Sequence, residues 1–339
     1  MAEQKIKCVV WDLDNTLWNG TLVENTVTGL NDGVLEVIKS LDERGILQSV
    51  ASKNNYDDAY KKLCEFGVEE YFLYPQISWN PKSSSIKEIT QKLNIGIDTI
   101  AFIDDQPFER EEVAHLCPEV MTIDATQIKN ILSYDRMIPR FITEDTKNRR
   151  KMYIAAQLRD EDEKEFEGTS SEFLQSLNMK LSITPVCEED LQRAYELTIR
   201  THQLNSTGYT YSYDELKEFI EDDEHIFLIA GLKDKFGDYG KIGLILVENK
   251  EDLRIKLLLM SCRVMSRGVG SAILVYLAKL KEKLGKRMFA EFKTTDRNRM
   301  MYITYKLMGF DEIEDNDGDV LLEYTSDEEK DYPPYFNII

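Results

Sequence analysis

The stretch Ile6-Lys7-Cys8-Val9-Val10-Trp11-Asp12-Leu13-Asp14-Asn15-Thr16 sets a short, mostly apolar run directly before two carboxylates one residue apart. A run that is apolar rather than alternating predicts a strand covered on both faces, as in a parallel sheet. Asp12 and Asp14 then fall where the chain leaves the sheet, and residues two apart point to one side. The rhythm recurs: Ile46–Ala51, Ile100–Ile103 and Val120–Ile123 read as strands. Amphipathic segments over Gly33–Arg44, Tyr56–Phe66, Lys82–Leu93 and Phe108–His115 read as helices between them. Such alternation predicts a doubly wound α/β domain with ligands at the carboxyl ends of its strands.

Those ends carry a chemical pattern. The second strand runs into Ser52-Lys53-Asn54, and the third strand-to-helix passage is Trp79-Asn80-Pro81-Lys82, with proline suited to a helix start. The strand at Ile100–Ile103 runs into Asp104-Asp105. Each part alone is bland, since a DxD often caps a loop and a lysine often decorates a surface. In this order, each after its own strand, they bring carboxylates, hydroxyl and ammonium to one crevice. Clustered carboxylates need a counter-charge, which predicts a hard, oxygen-loving cation such as Mg2+. A carboxylate nucleophile divides phosphoester hydrolysis into formation and breakdown of an aspartyl phosphate. A second carboxylate serves as acid and then base, while hydroxyl and ammonium groups steady the equatorial oxygens.

These four motifs resemble those of the haloacid dehalogenase superfamily. The resemblance implies that Asp12 is the nucleophile and Asp14 the acid/base. Ser52, Lys53, Asn54 and Lys82 would bind phosphate. Asp12, Asp14, Asp104, Asp105 and the Leu13 carbonyl would help hold Mg2+, with the direct ligand of the Asp104/Asp105 pair left open. About forty residues separate Asp12 from Ser52 and about thirty separate Ser52 from Lys82, too few for a large cap domain. An open site is expected, covered by another domain or receiving a large partner.

At 339 residues the chain exceeds one ordinary core, and its composition (42% hydrophobic, 31% charged) is globular. A net charge of −20 argues against non-specific binding to nucleic acid or anionic membrane. Five cysteines without CxxC spacing, behind an N-terminal apolar run too short for a secretory segment, predict reduced thiols in the cytoplasm. Three histidines, none at helical ligand spacing, do not suggest zinc. The expected organisation is a phosphoryl-transfer domain over 1–140, a charged linker-helix region over 141–178, a second domain over 179–326 and a tail over 327–339.

The second half reads as α+β with a mainly antiparallel sheet. Lys180–Pro185, His225–Gly231, Ile242–Glu248, Leu253–Met260 and Met288–Phe292 are expected as strands, with a polar turn at Lys233–Lys241. Helices are expected over Glu188–Thr201, from Arg267-Gly268-Val269-Gly270 to about Leu284, and over Asn298–Met308. Glycines opening a helix after a strand let backbone amides approach a pyrophosphate. With the preceding strands and the later Tyr305-Lys306-Leu307-Met308-Gly309-Phe310, this half resembles the GNAT-type acyltransferase fold. Cys262 stands at a strand end beside Arg263, where positive charge would favour thiolate. A small buried core residue is the plainer reading of any such cysteine.

The two halves together resemble the FkbH-like family of glyceryltransferase/phosphatases over nearly the whole chain. Besides the motifs already quoted, Arg200-Thr201-His202-Gln203-Leu204-Asn205 and Ser261-Cys262-Arg263-Val264 carry the resemblance. It implies a phosphorylated three-carbon substrate, 1,3-bisphosphoglycerate, and an acceptor thiol on the phosphopantetheine arm of an acyl carrier protein. An enzyme thiol, assigned to Cys262, would hold the glyceryl group while the haloacid dehalogenase site removes phosphate. Arg200, His202, Gln203, Asn205, Arg263, Arg267, Gly268, Gly270 and Asn298 would line the acyl and pantetheine site. Arg297 and Arg299, or Lys147–Lys151, would offer a basic face to an acidic carrier. The chain departs from the family at His202, Ser266 and Gly270, where Asn, Gly and Glu are usual. Gly270 keeps an acyl-CoA donor in view. A stand-alone phosphatase and a CoA-dependent acyltransferase fused to a phosphatase are the competing readings.

Overall fold

The computed structural model describes residues 4–339, which divide into two compact units, 4–154 and 155–339. In the first unit, strands β1 (Cys8–Trp11), β2 (Leu47–Ser52), β3 (Gln76–Ile77), β4 (Ile100–Asp104) and β5 (Met121–Asp124) form a parallel sheet of order β3-β2-β1-β4-β5. Helices α1 (Val34–Glu43), α2 (Tyr56–Phe66), α3 (Lys82–Leu93) and α4 (Pro107–Leu116) alternate with these strands. β1 lies at the centre, with Cys8 opposite Leu47 on one side and Ile100 on the other. Every residue of β1 and β2 is buried; β1 is wholly apolar, while β2 also buries Gln48, whose amide accepts from Trp11 Nε1 and donates to the Ile38 carbonyl. In α1 the buried residues Val34, Val37, Ile38 and Leu41 repeat at helical spacing and form one stripe. The Asn55 side chain caps α2 by accepting from the Asp58 amide, and left-handed Gly67 ends it.

Helix α5 (Arg149–Glu165) and helix α6 (Ser170–Ser176) fall in the expected linker region. In the basic cluster 147–151 the two lysines are exposed, but the two arginines are buried. Arg150 bonds the Asp42 carboxylate and Glu70, and Arg149 donates to the Gly45 carbonyl. These buried guanidiniums are therefore committed within the first unit rather than free for an acidic partner.

The second unit holds β6 (Met179–Pro185), α7 (Leu191–Arg200), α8 (Tyr213–Glu221), β7 (His225–Asp234), β8 (Gly237–Asn249), β9 (Leu253–Met260), α9 (Val269–Leu284), β10 (Met288–Lys293), α10 (Arg299–Leu307), β11 (Phe310–Asn316), β12 (Asp319–Tyr324) and β13 (Phe336–Ile338). Its sheet order is β11-β12-β10-β9-β8-β7-β6-β13. All neighbouring strands are antiparallel except the pairs β9–β10 and β6–β13. The expected turn at Lys233–Lys241 is mostly strand. Asp234 Oδ1 accepts from the amides of Phe236 and Gly237, which shortens the reversal to two residues. The residues expected as a tail also contribute structure, because Phe336–Ile338 pairs in parallel with Met179–Leu181. The fold is thus a doubly wound α/β unit with a parallel sheet and no large inserted domain, followed by an α+β unit with a mainly antiparallel sheet. No described helix is long and apolar enough to cross a membrane.

Candidate active site

The carboxyl ends of β1 and β4 and the start of α3 meet at Asp12, Asp104 and Lys82. The Lys82 ammonium lies 2.5 Å from Asp12 Oδ1 and 2.8 Å from Asp104 Oδ2, with all three residues buried. Pro81 precedes α3, so Lys82 occupies the first turn and reaches back to the strand ends. Burial pushes the Asp12 carboxyl up to about 7, against the pull of Lys82. Burial also pulls the Lys82 ammonium down, but Asp12 and Asp104 outweigh it and keep it above its ordinary value. Asp105 is raised by partial burial and then by its neighbour Asp104.

One lysine cannot balance this set. Asp12, Asp104 and Asp105 each offer a carboxylate oxygen, and these oxygens lie within 4.8 Å of one another. Hard oxygen donors so grouped, with a surplus of negative charge, fit Mg2+. Asp104 is oriented by the Gln106 amide at 2.8 Å, and the Asp105 amide donates to Thr16 Oγ1 at 3.0 Å.

Asp14 is placed differently. Its Oδ1 accepts from Trp18 Nε1 at 2.8 Å and the Leu22 amide at 3.0 Å, and its Oδ2 accepts from Asn54 Nδ2 at 3.1 Å. Three donors fix this carboxylate, which stands outside the group formed by Asp12, Asp104 and Asp105. Left-handed Asn15 turns the chain just after it. The Leu13 carbonyl accepts the amides of Thr16, Leu17 and Trp18, so this oxygen is engaged in the turn. Ser52 is buried, with its Oγ 3.2 Å from Asn54 Nδ2. Lys53 turns away to Glu109 at 2.6 Å.

In the second unit β9 and β10 pair only from Leu253–Ile255 to Met288–Ala290 and then part. Two parting strands leave unpaired backbone edges that an extended ligand arm could use. Here Leu204–Ser206 fills the gap. The Ser206 amide donates to the Leu258 carbonyl (2.9 Å), Met260 to the Leu204 carbonyl (2.8 Å) and Lys293 to the Ser206 carbonyl (3.0 Å). Asn298 Nδ2 ties the plug down through the carbonyls of Asn205 and Lys293. Both asparagines are fully buried in the chain's own hydrogen bonds. Arg200 and His202 belong to the end of α7 and the loop after it, and Arg200 lies 3.8 Å from Glu196.

The glycine turn is likewise taken. Gly268 is left-handed and caps α9, and a Cβ there would collide with the Tyr335 hydroxyl from the C-terminal segment. Gly270 is packed against Met260 and Thr304. Arg267 faces Glu163 at 2.9 Å and Asp160 at 3.5 Å rather than an anion. These residues do not fit a CoA pyrophosphate and arm in the strand gap. Cys262 opens a short 3-10 turn after β9 and is partly buried, with Arg263 donating to Ser261 Oγ. The plug and the Tyr335 cover were not foreseeable from local sequence, since both depend on partners about fifty or more residues away.

No family model and no curated protein match this chain. Among solved structures, it is similar to the N-terminal part of protein BF1531 from Bacteroides fragilis, which contains a phosphatase domain and was crystallised with Mg, at 31% identity and a TM-score of 0.35. That match covers 39% of this chain and 40% of the other, so this chain spans about two fifths of that structure's length. It is also similar to a HAD-family enzyme from Bacteroides thetaiotaomicron at 16% identity, covering 36% of this chain and 94% of that one, with a TM-score of 0.30. A third similarity is to the PaiA N-acetyltransferase from Thermoplasma acidophilum, solved with coenzyme A, at 17% identity over 43% of this chain and 99% of that one, with a TM-score of 0.32.

Proposed function

We propose that this chain is a magnesium-dependent phosphatase of a small phosphorylated metabolite, joined to an acyltransferase-like unit. The observation that carries the first part is Lys82 bridging Asp12 and Asp104 while three donors hold Asp14 alongside. Asp12 attacks phosphorus, and Asp14 gives its proton to the departing alkoxide. Asp14, now ionised, takes a proton from water, whose oxygen attacks the aspartyl phosphate and returns Asp12 as carboxylate. Lys82 offsets charge on the transferring oxygens, and the Ser52 hydroxyl lies at the same strand ends. Mg2+, when bound by Asp12, Asp104 and Asp105, would neutralise charge on the phosphoryl oxygens. Phosphate release from small phosphomonoesters that requires Mg2+ and stops with chelator supports this reading. No release from any of them contradicts it.

The finer form is a glyceryltransferase/phosphatase. The Cys262 thiolate attacks the acyl carbon of 1,3-bisphosphoglycerate and expels the acyl phosphate, leaving a thioester. The remaining phosphate is removed at Asp12, and the phosphopantetheine thiol of an acyl carrier protein then displaces the glyceryl group and frees Cys262. What supports this form is the resemblance of the quoted motifs and the place of Cys262 at the end of β9. Intact mass after incubation with the acyl phosphate should show an adduct on the wild type and none on Cys262→Ala. An adduct unchanged in that variant removes the assignment. The plugged strand gap and covered glycine turn favour a simpler second reading, a phosphatase whose second unit does not use CoA. It predicts no acyl adduct at all.

A further inference from the structure

The two oxygens of the Asp14 carboxylate are held differently. Oδ1 accepts from Trp18 Nε1 at 2.8 Å and from the Leu22 amide at 3.0 Å. A carboxylate oxygen has two in-plane lone pairs, and these two N–H groups occupy both. Among the described residues Oδ2 takes one donor, Asn54 Nδ2 at 3.1 Å, and that nitrogen also reaches Ser52 Oγ at 3.2 Å. One lone pair of Oδ2 is left for a proton.

The holders of Oδ1 belong to one short hairpin, in which Trp18–Asn19 pairs with Gly29–Leu30 and Leu22 lies in the loop between. The Trp18 indole is fully buried in a core of the first unit, tilted against Phe66 of α2 with ring centroids 6.2 Å apart. A ring so packed has little room to turn, and its buried N–H needs an acceptor. Asp14 is that acceptor, so core packing sets the rotation of the carboxylate.

We propose that Trp18 is the positioning residue of the proton-transfer step: it fills Oδ1, so that the proton leaves and returns through Oδ2 alone. The proposal rests on the phosphatase reading. As Asp12 attacks phosphorus, the bond to the leaving oxygen breaks and that oxygen takes the proton from Oδ2. Water then gives a proton to Oδ2 as its oxygen attacks phosphorus and the bond to Asp12 breaks. Without the indole N–H the carboxylate can rotate, and the proton can sit on either oxygen.

An alkoxide must be protonated as it leaves, whereas p-nitrophenolate leaves without a proton. The test is therefore the ratio of kcat/KM for glycerol 1-phosphate to that for p-nitrophenyl phosphate, on the full chain with Mg2+. Trp18→Phe keeps an aromatic ring in the core without an N–H, and should lower the ratio about tenfold, the scale of one hydrogen bond to a charged group. Asp14→Asn should lower it about a hundredfold or more. Adding Trp18→Phe to Asp14→Asn should lower it no further, because the indole acts only through that carboxylate. A merely structural tryptophan lowers both esters equally. A ratio unchanged in either single variant, or a further fall in the double variant, overturns the proposal while leaving the phosphatase intact.

Proton NMR reads the contact without removing the indole. The chain has three tryptophans, and the signal of exposed Trp79 is identified by its loss in Trp79→Phe. Asp14→Ala should shift one of the two buried indole N–H signals and leave the other, since Trp11 Nε1 donates to Gln48 Oε1. No shift in either signal overturns the proposal. A wild type that releases phosphate from neither ester overturns the phosphatase reading and the proposal with it.

Discussion

Lys82 Nζ donates to Asp12 Oδ1 at 2.5 Å, joining the first helical turn of α3 to the carboxyl end of the central strand β1. The same ammonium holds Asp104, so removing it strands two buried carboxylates. Lys82→Ala is expected to destabilise the metal-free first unit by about 3 kcal/mol. Added Mg2+ should recover part of that loss, because it supplies the missing positive charge. Urea unfolding with EDTA and with Mg2+ measures both. A variant as stable as wild type in EDTA would show that the carboxylates are not balanced by Lys82.

The carboxylate trio leads to a separate expectation for metal. Mg2+ should raise the Tm of the wild type, and Asp104→Asn should remove most of that increase, since one of three gathered donors loses its charge. Differential scanning fluorimetry across a magnesium series checks this. An undiminished shift in Asp104→Asn would place the ion elsewhere.

Much of this centre is legible in the sequence because each part follows its own strand. Asp12, Ser52 and Asp104 stand directly at the ends of fully buried strands, and Lys82 opens a helix announced by Pro81. Lys53 shows the limit. It is adjacent to Ser52, yet pairs with Glu109, a partner that only the folded chain brings near. The two-residue strand β3 is too short for any periodicity to reveal. Asn205 and Asn298 read as polar ligands in sequence because nothing local shows that they bond each other's neighbourhoods across 93 positions. The C-terminal strand β13 is hidden for the same reason, since its partner β6 lies far upstream.

The plug formed by Leu204–Ser206 and the Tyr335 cover over Gly268 carry a binding prediction. Calorimetric titration of the full chain with CoA should show no binding at micromolar concentrations. A Kd in the low micromolar range would mean that both segments yield to the ligand, and would revive the CoA-dependent acyltransferase.

Arg159 is 1% exposed and bonds Asp234 through two nitrogens, at 2.5 and 2.9 Å, with its guanidinium over the Tyr239 ring. Tyr239 also donates to Asp234, and burial pushes its hydroxyl well above the ordinary tyrosine range. Arg159→Ala should cost the second unit about 3 kcal/mol, because it leaves a buried aspartate unpaired. Denaturant unfolding reads the loss directly, and a change below about 1 kcal/mol would mean that water replaces the guanidinium.

Ser266 holds φ 63°, a left-handed backbone that favours glycine. Ser266→Gly should stabilise the protein by about 1 kcal/mol. An unchanged or lowered midpoint of unfolding would show that the serine side chain offsets its backbone cost.

The central claim is that Asp12 is the phosphoryl acceptor. Single-turnover phosphate release with Mg2+, followed on the wild type and on Asp12→Asn with glycerol 1-phosphate, tests it most directly. The expected result is release by the wild type and a loss of about a thousandfold or more in the variant, which keeps the shape of the side chain but not its nucleophilic charge. Release that survives in Asp12→Asn would contradict the claim.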